Sequence, residues 1–184
     1  VNKALIKEIR KIPEVTIQDL YELYPDFYID VPQEQKLLTE HDTIIMQHPL
    51  FWYNIPPLLK QWIDLVLEHG WAYGAGGNAL KGKNLINVMT AGGGEQAYQV
   101  EGYNKYTIKQ FLAPLERTAA LCKMNYLPPF VVHGTHRLDD AAIAGYSALY
   151  SSFLRYILNE NNPLPAYDSM EYINDAVKGG EANG

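Results

Sequence analysis

Apolar residues along this chain switch repeatedly between helical spacing and short continuous or alternating runs, and each switch predicts an element. Ala4, Leu5, Ile9 and Ile12 share one helical face, which Pro13 ends. Val15, Ile17 and Leu20 alternate with polar residues and predict a strand over 13–20. After a Tyr/Pro/Asp-rich stretch over 21–30, Asp30 ahead of Val31-Pro32 predicts an N-cap and a helix to about His41. Residues 43–48 are a short apolar run stopped by Pro49, the pattern of a strand buried on both faces. Leu58, Leu59, Trp62, Ile63, Val66 and Leu67 then predict an amphipathic helix over 56–68. A glycine-rich loop over 70–82 leads to an apolar strand over 84–90, which Gly92-Gly93-Gly94 breaks. A polar loop runs to Tyr103, and a helix is predicted over 106–123. A strand over 126–133 follows, entered through Pro128-Pro129, and Asp139 caps a last helix over 140–159. One domain over 1–162 and a tail over 163–184 follow from this division.

Helices alternating with short buried strands imply an α/β fold with a parallel sheet covered on both faces. Ligands of such sheets bind beyond the carboxyl ends of the strands. Those ends are the loops after His48, after Thr90 and after His133.

Composition narrows the choice of ligand. The 184 residues carry a net charge of −6, which leaves no basic field for a nucleic-acid backbone. Cys122 is the sole cysteine, so no internal disulfide forms and a cytoplasmic setting is expected. Tyrosine outnumbers phenylalanine 14 to 5, and its polar tip suits half-wet surfaces such as clefts and subunit contacts.

Two loop segments carry candidate chemistry. Pro49-Leu50-Phe51-Trp52-Tyr53-Asn54 places an aromatic cluster at a strand end, either as a platform for a planar ring or as a staple packing the next helix. Thr90-Ala91-Gly92-Gly93-Gly94 lets backbone approach a ligand and present N–H groups, or is a plain turn. Neither GxGxxG nor a phosphate-binding Lys-Ser/Thr is present. His133 and His136 lack a carboxylate or cysteine to complete a metal set and read as surface or capping residues, so no metal is expected. No GxSxG elbow surrounds Ser151-Ser152, and Cys122 reads as packing.

The segments 48–60, 70–73 with 77–83, and 90–94, together with Asp19-Leu20-Tyr21, Tyr24-Pro25-Asp26 and Leu127-Pro128-Pro129, resemble the flavodoxin-like NAD(P)H:quinone oxidoreductases. The branch they are most similar to is the short bacterial one that includes general stress protein 14 and the ancillary flavoproteins of glutathione-regulated potassium efflux. The resemblance spans roughly residues 1–160. It implies a flavodoxin-like three-layer sandwich with a five-stranded parallel sheet, a homodimer, and bound FMN or FAD. It also implies NADH or NADPH as co-substrate and a quinone or other flat acceptor, reduced by two-electron ping-pong hydride transfer.

By position, the resemblance assigns the flavin to Pro49, Leu50, Phe51, Trp52 and Tyr53, and to Thr90, Ala91, Gly92 and Gly93. Tyr98 matches a tyrosine beside the flavin, and Asn104 stands where the best-known animal members have a histidine. Trp71 and Tyr73 are assigned to the substrate pocket, with Tyr73 reaching into the partner subunit's site. Asn2 falls on the phosphate side of the first helix, and the family's first strand and phosphate loop, about 20 residues, are expected ahead of Val1. Two further roles are compatible with the resemblance: a regulatory protein touching a potassium-efflux transporter, and a one-electron carrier like flavodoxin. A flavin-free binding module is the plainer alternative. The tail is expected to form an arm across the partner subunit through Tyr167 and Tyr172.

Overall fold

A computed structural model describes residues 1–159 and 170–175. Its elements are α1 (Asn2–Ile9), α2 (Leu20–Leu23), α3 (Val31–Glu40), β1 (Thr43–Pro49), α4 (Pro57–Val66), β2 (Asn84–Thr90), α5 (Ile108–Leu121), β3 (Asn125–Tyr126), β4 (Phe130–Val132) and α6 (Asp140–Leu158). A single 3-10 turn, Glu95–Tyr98, lies between β2 and α5. All strand pairs are parallel, and β2 is central, pairing with β1 on one edge and with β3 and β4 on the other.

The strand alternation sorts two cores onto opposite faces of the sheet. Met46, Leu85, Met89 and Val131 face α3, α4 and α5, where Leu38, Leu58, Trp62, Ile63, Leu112 and Leu115 close the layer. Ile86, Val88, Phe130 and Val132 face α1 and α6, meeting Leu5, Ile9, Tyr150, Phe153 and Leu154. Local signals start the helices: the Asp30 carboxylate accepts from Gln33 N at 3.1 Å, and Asp139 accepts from Ala142 N at 2.8 Å. Thr107 and Gln110 form a reciprocal capping box at the start of α5.

The α/β class holds, but the strands differ from expectation in two places. Residues 13–20 form no strand: Val15 and Ile17 pack against the α1/α6 core, yet the outer edge of β1 has no ladder partner among the described residues. Alternation alone fits a side chain to a core, and a strand also requires a neighbouring backbone. The strand expected over 126–133 is split into β3 and β4 because Pro128 and Pro129 have no N–H for the β2 ladder. The described sheet has four strands, where the resemblance implied five.

A buried carboxylate anchors the α3 side. Glu34 accepts from Tyr24 Oη at 2.7 Å, Trp62 Nε1 at 2.9 Å and Gln18 Nε2 at 3.2 Å. These donors tie α3, α4 and the 18–24 segment to one acid, and burial with the adjacent Glu34 raises the Tyr24 phenol.

Candidate functional site

β1 and β2 end side by side, with Pro49 opposite Thr90 in the ladder, so the loops that leave them start in contact. Leu50 N donates to Thr90 O at 2.8 Å and continues the pairing one step into the loop. The chain then turns tightly: Phe51 N donates to Asn54 O at 2.9 Å and Asn54 N to Phe51 O at 2.8 Å. Trp52 and Tyr53 lie between them in left-handed conformation, at φ 47° and 62°. That conformation is unfavourable by about 1–2 kcal/mol for each bulky residue, and such strain gathers at working sites. It leaves Trp52 94% exposed. Tyr53 instead stacks on Phe111 of α5, with centroids 5.3 Å apart and planes 24° apart.

Neither Trp52 nor Tyr53 gives its backbone N–H to an acceptor among the described residues. The same holds for Gly92, Gly93 and Gly94 in the loop after β2. Two groups of free donors therefore sit at adjoining strand ends. Space around the glycines is tight: a Cβ on Gly92 would lie 2.8 Å from Nε2 of the exposed His136 side chain, and one on Gly93 would lie 3.2 Å from the Tyr98 ring. The loop after β4 holds this one in place, with Gly134 N donating to Gly93 O at 2.8 Å and Thr135 N to Ala91 O at 3.1 Å.

On the α1 face, Asn2 Nδ2 donates to Thr90 Oγ1 at 3.0 Å. Gln47 Nε2 donates to Asn2 O at 3.2 Å, fixing the start of α1 against both strands. On the α5 face, His48 is buried, with Nε2 3.2 Å from Asn87 Oδ1 and Nδ1 3.1 Å from Pro49 O. Asn87 in turn donates to Tyr126 Oη at 3.0 Å. Burial holds the His48 imidazole below its ordinary range and raises the Tyr126 phenol, so both stay neutral around pH 7. A cavity of about 110 Å³ lies beneath this turn, lined by His48, Leu50, Asn54, Lys60, Phe111 and Pro114 among others. It is smaller than the few hundred Å³ of a cofactor pocket, so a large ring would occupy the open ledge above it.

Tyr98 is buried in the 3-10 turn, between Gly93, Phe111 (6.2 Å) and His133 (5.7 Å). Asn104 returns to the same turn through its N–H, which donates to Ala97 O at 2.9 Å. Trp71 and Tyr73 stand elsewhere. Their loop leaves the carboxyl end of α4, at the amino-terminal edge of the sheet, and Lys123 Nζ holds it by Gly77 O at 3.1 Å. Within one chain they lie at the edge opposite the ledge, Tyr73 packing against His69 at 5.5 Å.

Sequence reasoning took His133 for a surface or capping residue, and the structure corrects that reading. Both ring nitrogens are buried and have no hydrogen-bond partner among the described residues, and burial pushes the imidazole down to about 4 against a weaker opposing pull from Glu171. Its cover is Tyr172, at 5.5 Å, from a segment 39 positions later (172 − 133), so no local signal foretold it.

A family model described as flavodoxin-like fold matches residues 1–154. The chain belongs to the flavodoxin-like fold family. Within that family it is 44% identical over 164 residues to the glutathione-regulated potassium-efflux system ancillary protein KefG of Serratia proteamaculans, covering 89% of this chain and 86% of that protein. Among solved flavodoxin-like structures, general stress protein 14 of Treponema denticola, in complex with FMN, superposes with a TM-score of 0.79 at 37% identity, covering 84% of this chain and 89% of that one. An NADPH-quinone reductase from P. pentosaceus superposes with a TM-score of 0.73 at 33% identity, covering 83% and 87%. In flavodoxin-like sheets the ledge at the carboxyl ends of β1 and β2 is where a ligand is expected.

Proposed function

We propose that this chain is a flavin-dependent oxidoreductase that passes hydride from NADH or NADPH to a quinone or another flat acceptor. The observation that carries the reading is the pair of free N–H groups at Trp52 and Tyr53 beside those of Gly92 and Gly93. Such preorganised donors suit a flat ring that gathers negative charge along one edge. When bound, the flavin supplies the redox chemistry, and the protein supplies position and field.

In this reading the backbone of Pro49, Leu50, Phe51, Trp52 and Tyr53 borders one side of the ring, and Thr90, Ala91, Gly92 and Gly93 border its polar end. Gly92 and Gly93 put no side chain between their backbone and the ring. Tyr98 stands behind Gly93 and offers its hydroxyl to the same edge. Asn2 orients the Thr90 hydroxyl by donating to its oxygen, which leaves the Thr90 proton for an acceptor on the ligand. Asn104 contributes an amide and no titrating group. The exposed Trp52 offers a flat apolar face that recognises little beyond flatness, which fits broad acceptor use.

FMN is favoured over FAD because the complex with general stress protein 14 contains FMN. Trp71 and Tyr73 fit a homodimer, since only a second copy's ledge lies within their reach under this assignment. A cytosolic setting follows from a nicotinamide co-substrate and a single buried thiol, Cys122. Initial rates with FMN-loaded protein, varying NADPH or NADH against menadione, test the reading. Parallel double-reciprocal lines are expected, and intersecting lines contradict ping-pong transfer.

A second reading rests on the 44% identity to the potassium-efflux ancillary protein: a peripheral partner of an efflux transporter. Among the described residues no helix is long and apolar enough to cross a membrane, so any such contact would be peripheral for that part of the chain. Co-purification with the transporter supports this reading, and its absence under conditions that retain flavin opposes it.

A further inference from the structure

β4 pairs with β2 along one edge, and its other edge is covered by residues 170–175. Ile173 N donates to Pro129 O at 3.0 Å. Asn174 clasps Val131 from both sides, accepting from its N–H at 2.9 Å and donating to its carbonyl at 3.0 Å. Lys109 Nζ of α5 donates to Met170 O at 3.1 Å. Ile173 is fully buried in the α1/α6 core, while Tyr172 turns to the opposite face and covers His133. Side-chain amide pairing to one backbone residue, with flanking side chains sent to both faces, is how an edge strand is sealed without a further ladder.

This seal continues into the ledge by two routes. Through the backbone, the chain leaving β4 presents Gly134 and Thr135, whose N–H groups hold Gly93 and Ala91. Through the rings, contacts run from Tyr172 to His133, from His133 to Tyr98, from Tyr98 to Phe111, and from Phe111 to Tyr53. His133 makes no hydrogen bond among the described residues, so its orientation depends on the rings on either side.

We propose that residues 170–175 form a clasp that sets the ledge, with Tyr172 and His133 as positioning residues for Tyr98 and for the loop over 91–94. The inference deepens the flavin reading and rests on it. With Tyr172 in place, His133 is a dry spacer that presses Tyr98 toward Gly93. Without it, water reaches the imidazole, Tyr98 loses its back wall, and the Gly134–Gly93 bond opens more often.

The test compares full-length wild type with Tyr172→Ala, Tyr172→Phe and Asn174→Ala. It measures amide exchange at Gly134 and His133 titration by NMR in the flavin-free protein, and FMN affinity by fluorescence quenching. Tyr172→Ala is expected to speed Gly134 exchange and weaken FMN binding about three- to tenfold, the loss of one aromatic pair. It should also move His133 titration toward the ordinary histidine range, while Tyr172→Phe, which keeps the ring, stays near wild type on all three readouts. If Tyr172→Ala does not fold, Asn174→Ala replaces it with the same expectations. Unchanged Gly134 exchange, or faster exchange with unaltered FMN affinity, overturns the proposal, because the segment would then only seal an edge. If wild type binds no FMN, the flavin reading fails; Gly134 exchange and His133 titration then decide the clasp alone, changed values upholding it and unchanged values overturning it.

Discussion

Asn2 donates its side-chain amide to the Thr90 hydroxyl at 3.0 Å, although 88 positions separate them. The bond joins the first turn of α1 to the end of the central strand, where the proposed ledge begins. Asn2→Ala removes one partly buried hydrogen bond, worth about 1 kcal/mol, and frees the Thr90 rotor. FMN affinity should fall about fivefold, and the melting temperature should drop by about 2–4 °C. Fluorescence titration of both proteins checks this, and equal affinities would remove Asn2 from the site.

Glu34 makes a contrasting prediction, since it binds three donors on the face of the sheet away from α1 and acts in stability alone. Glu34→Ala leaves the Trp62 N–H and Tyr24 hydroxyl without their buried acceptor and should lower unfolding free energy by about 3 kcal/mol. Glu34→Gln retains one oxygen acceptor and should lose less. Urea unfolding measures both, and FMN affinity should be unaffected in the folded fraction.

The His133 imidazole is the clearest source of acid sensitivity. Burial, only partly offset by Glu171, lowers it to about 4 in the folded chain, against about 6.5 when unfolded. Above pH 6.5 both states are neutral there and the residue adds no pH dependence. As pH falls from 6.5 toward 4 the unfolded state takes up a proton that the folded state refuses, so stability declines across that window. Tyr98, Tyr172 and Glu171 are the titratable groups that lie against His133 among the described residues. His48 pulls in the same direction, so His133→Phe should shrink the loss between pH 7.5 and 5 without abolishing it. Equal losses in variant and wild type would assign the sensitivity elsewhere.

Much of this architecture was legible locally. The apolar face of α4 and the caps at Asp30 and Asp139 depend on neighbours within a turn or two, which a sequence displays directly. Leu50, Phe51, Trp52 and Tyr53, with Gly92 and Gly93, marked two loops at strand ends, but residue type alone left a ring platform and a helix-packing staple, or a ligand-facing loop and a plain turn, both open. The left-handed turn at Trp52 and Tyr53, closed by the paired backbone bonds of Phe51 and Asn54, was not legible, since bulky residues disfavour it. Residues 13–20 misled because alternation reports a buried face and says nothing of an available backbone edge. His133 was misread as a surface or capping residue because a segment remote in sequence buries it. Tyr167 and most of the expected tail lie outside the described residues.

The central claim is that Trp52, Tyr53, Gly92 and Gly93 hold a flavin that nicotinamide can reduce. Its most direct test is the visible absorption of FMN-reconstituted protein, recorded anaerobically before and after NADPH or NADH and again after menadione. A bound yellow chromophore that bleaches with one nicotinamide and regains its colour with the quinone is the expected result. Protein that retains no flavin after desalting, or retains flavin that neither nicotinamide bleaches, would contradict the claim.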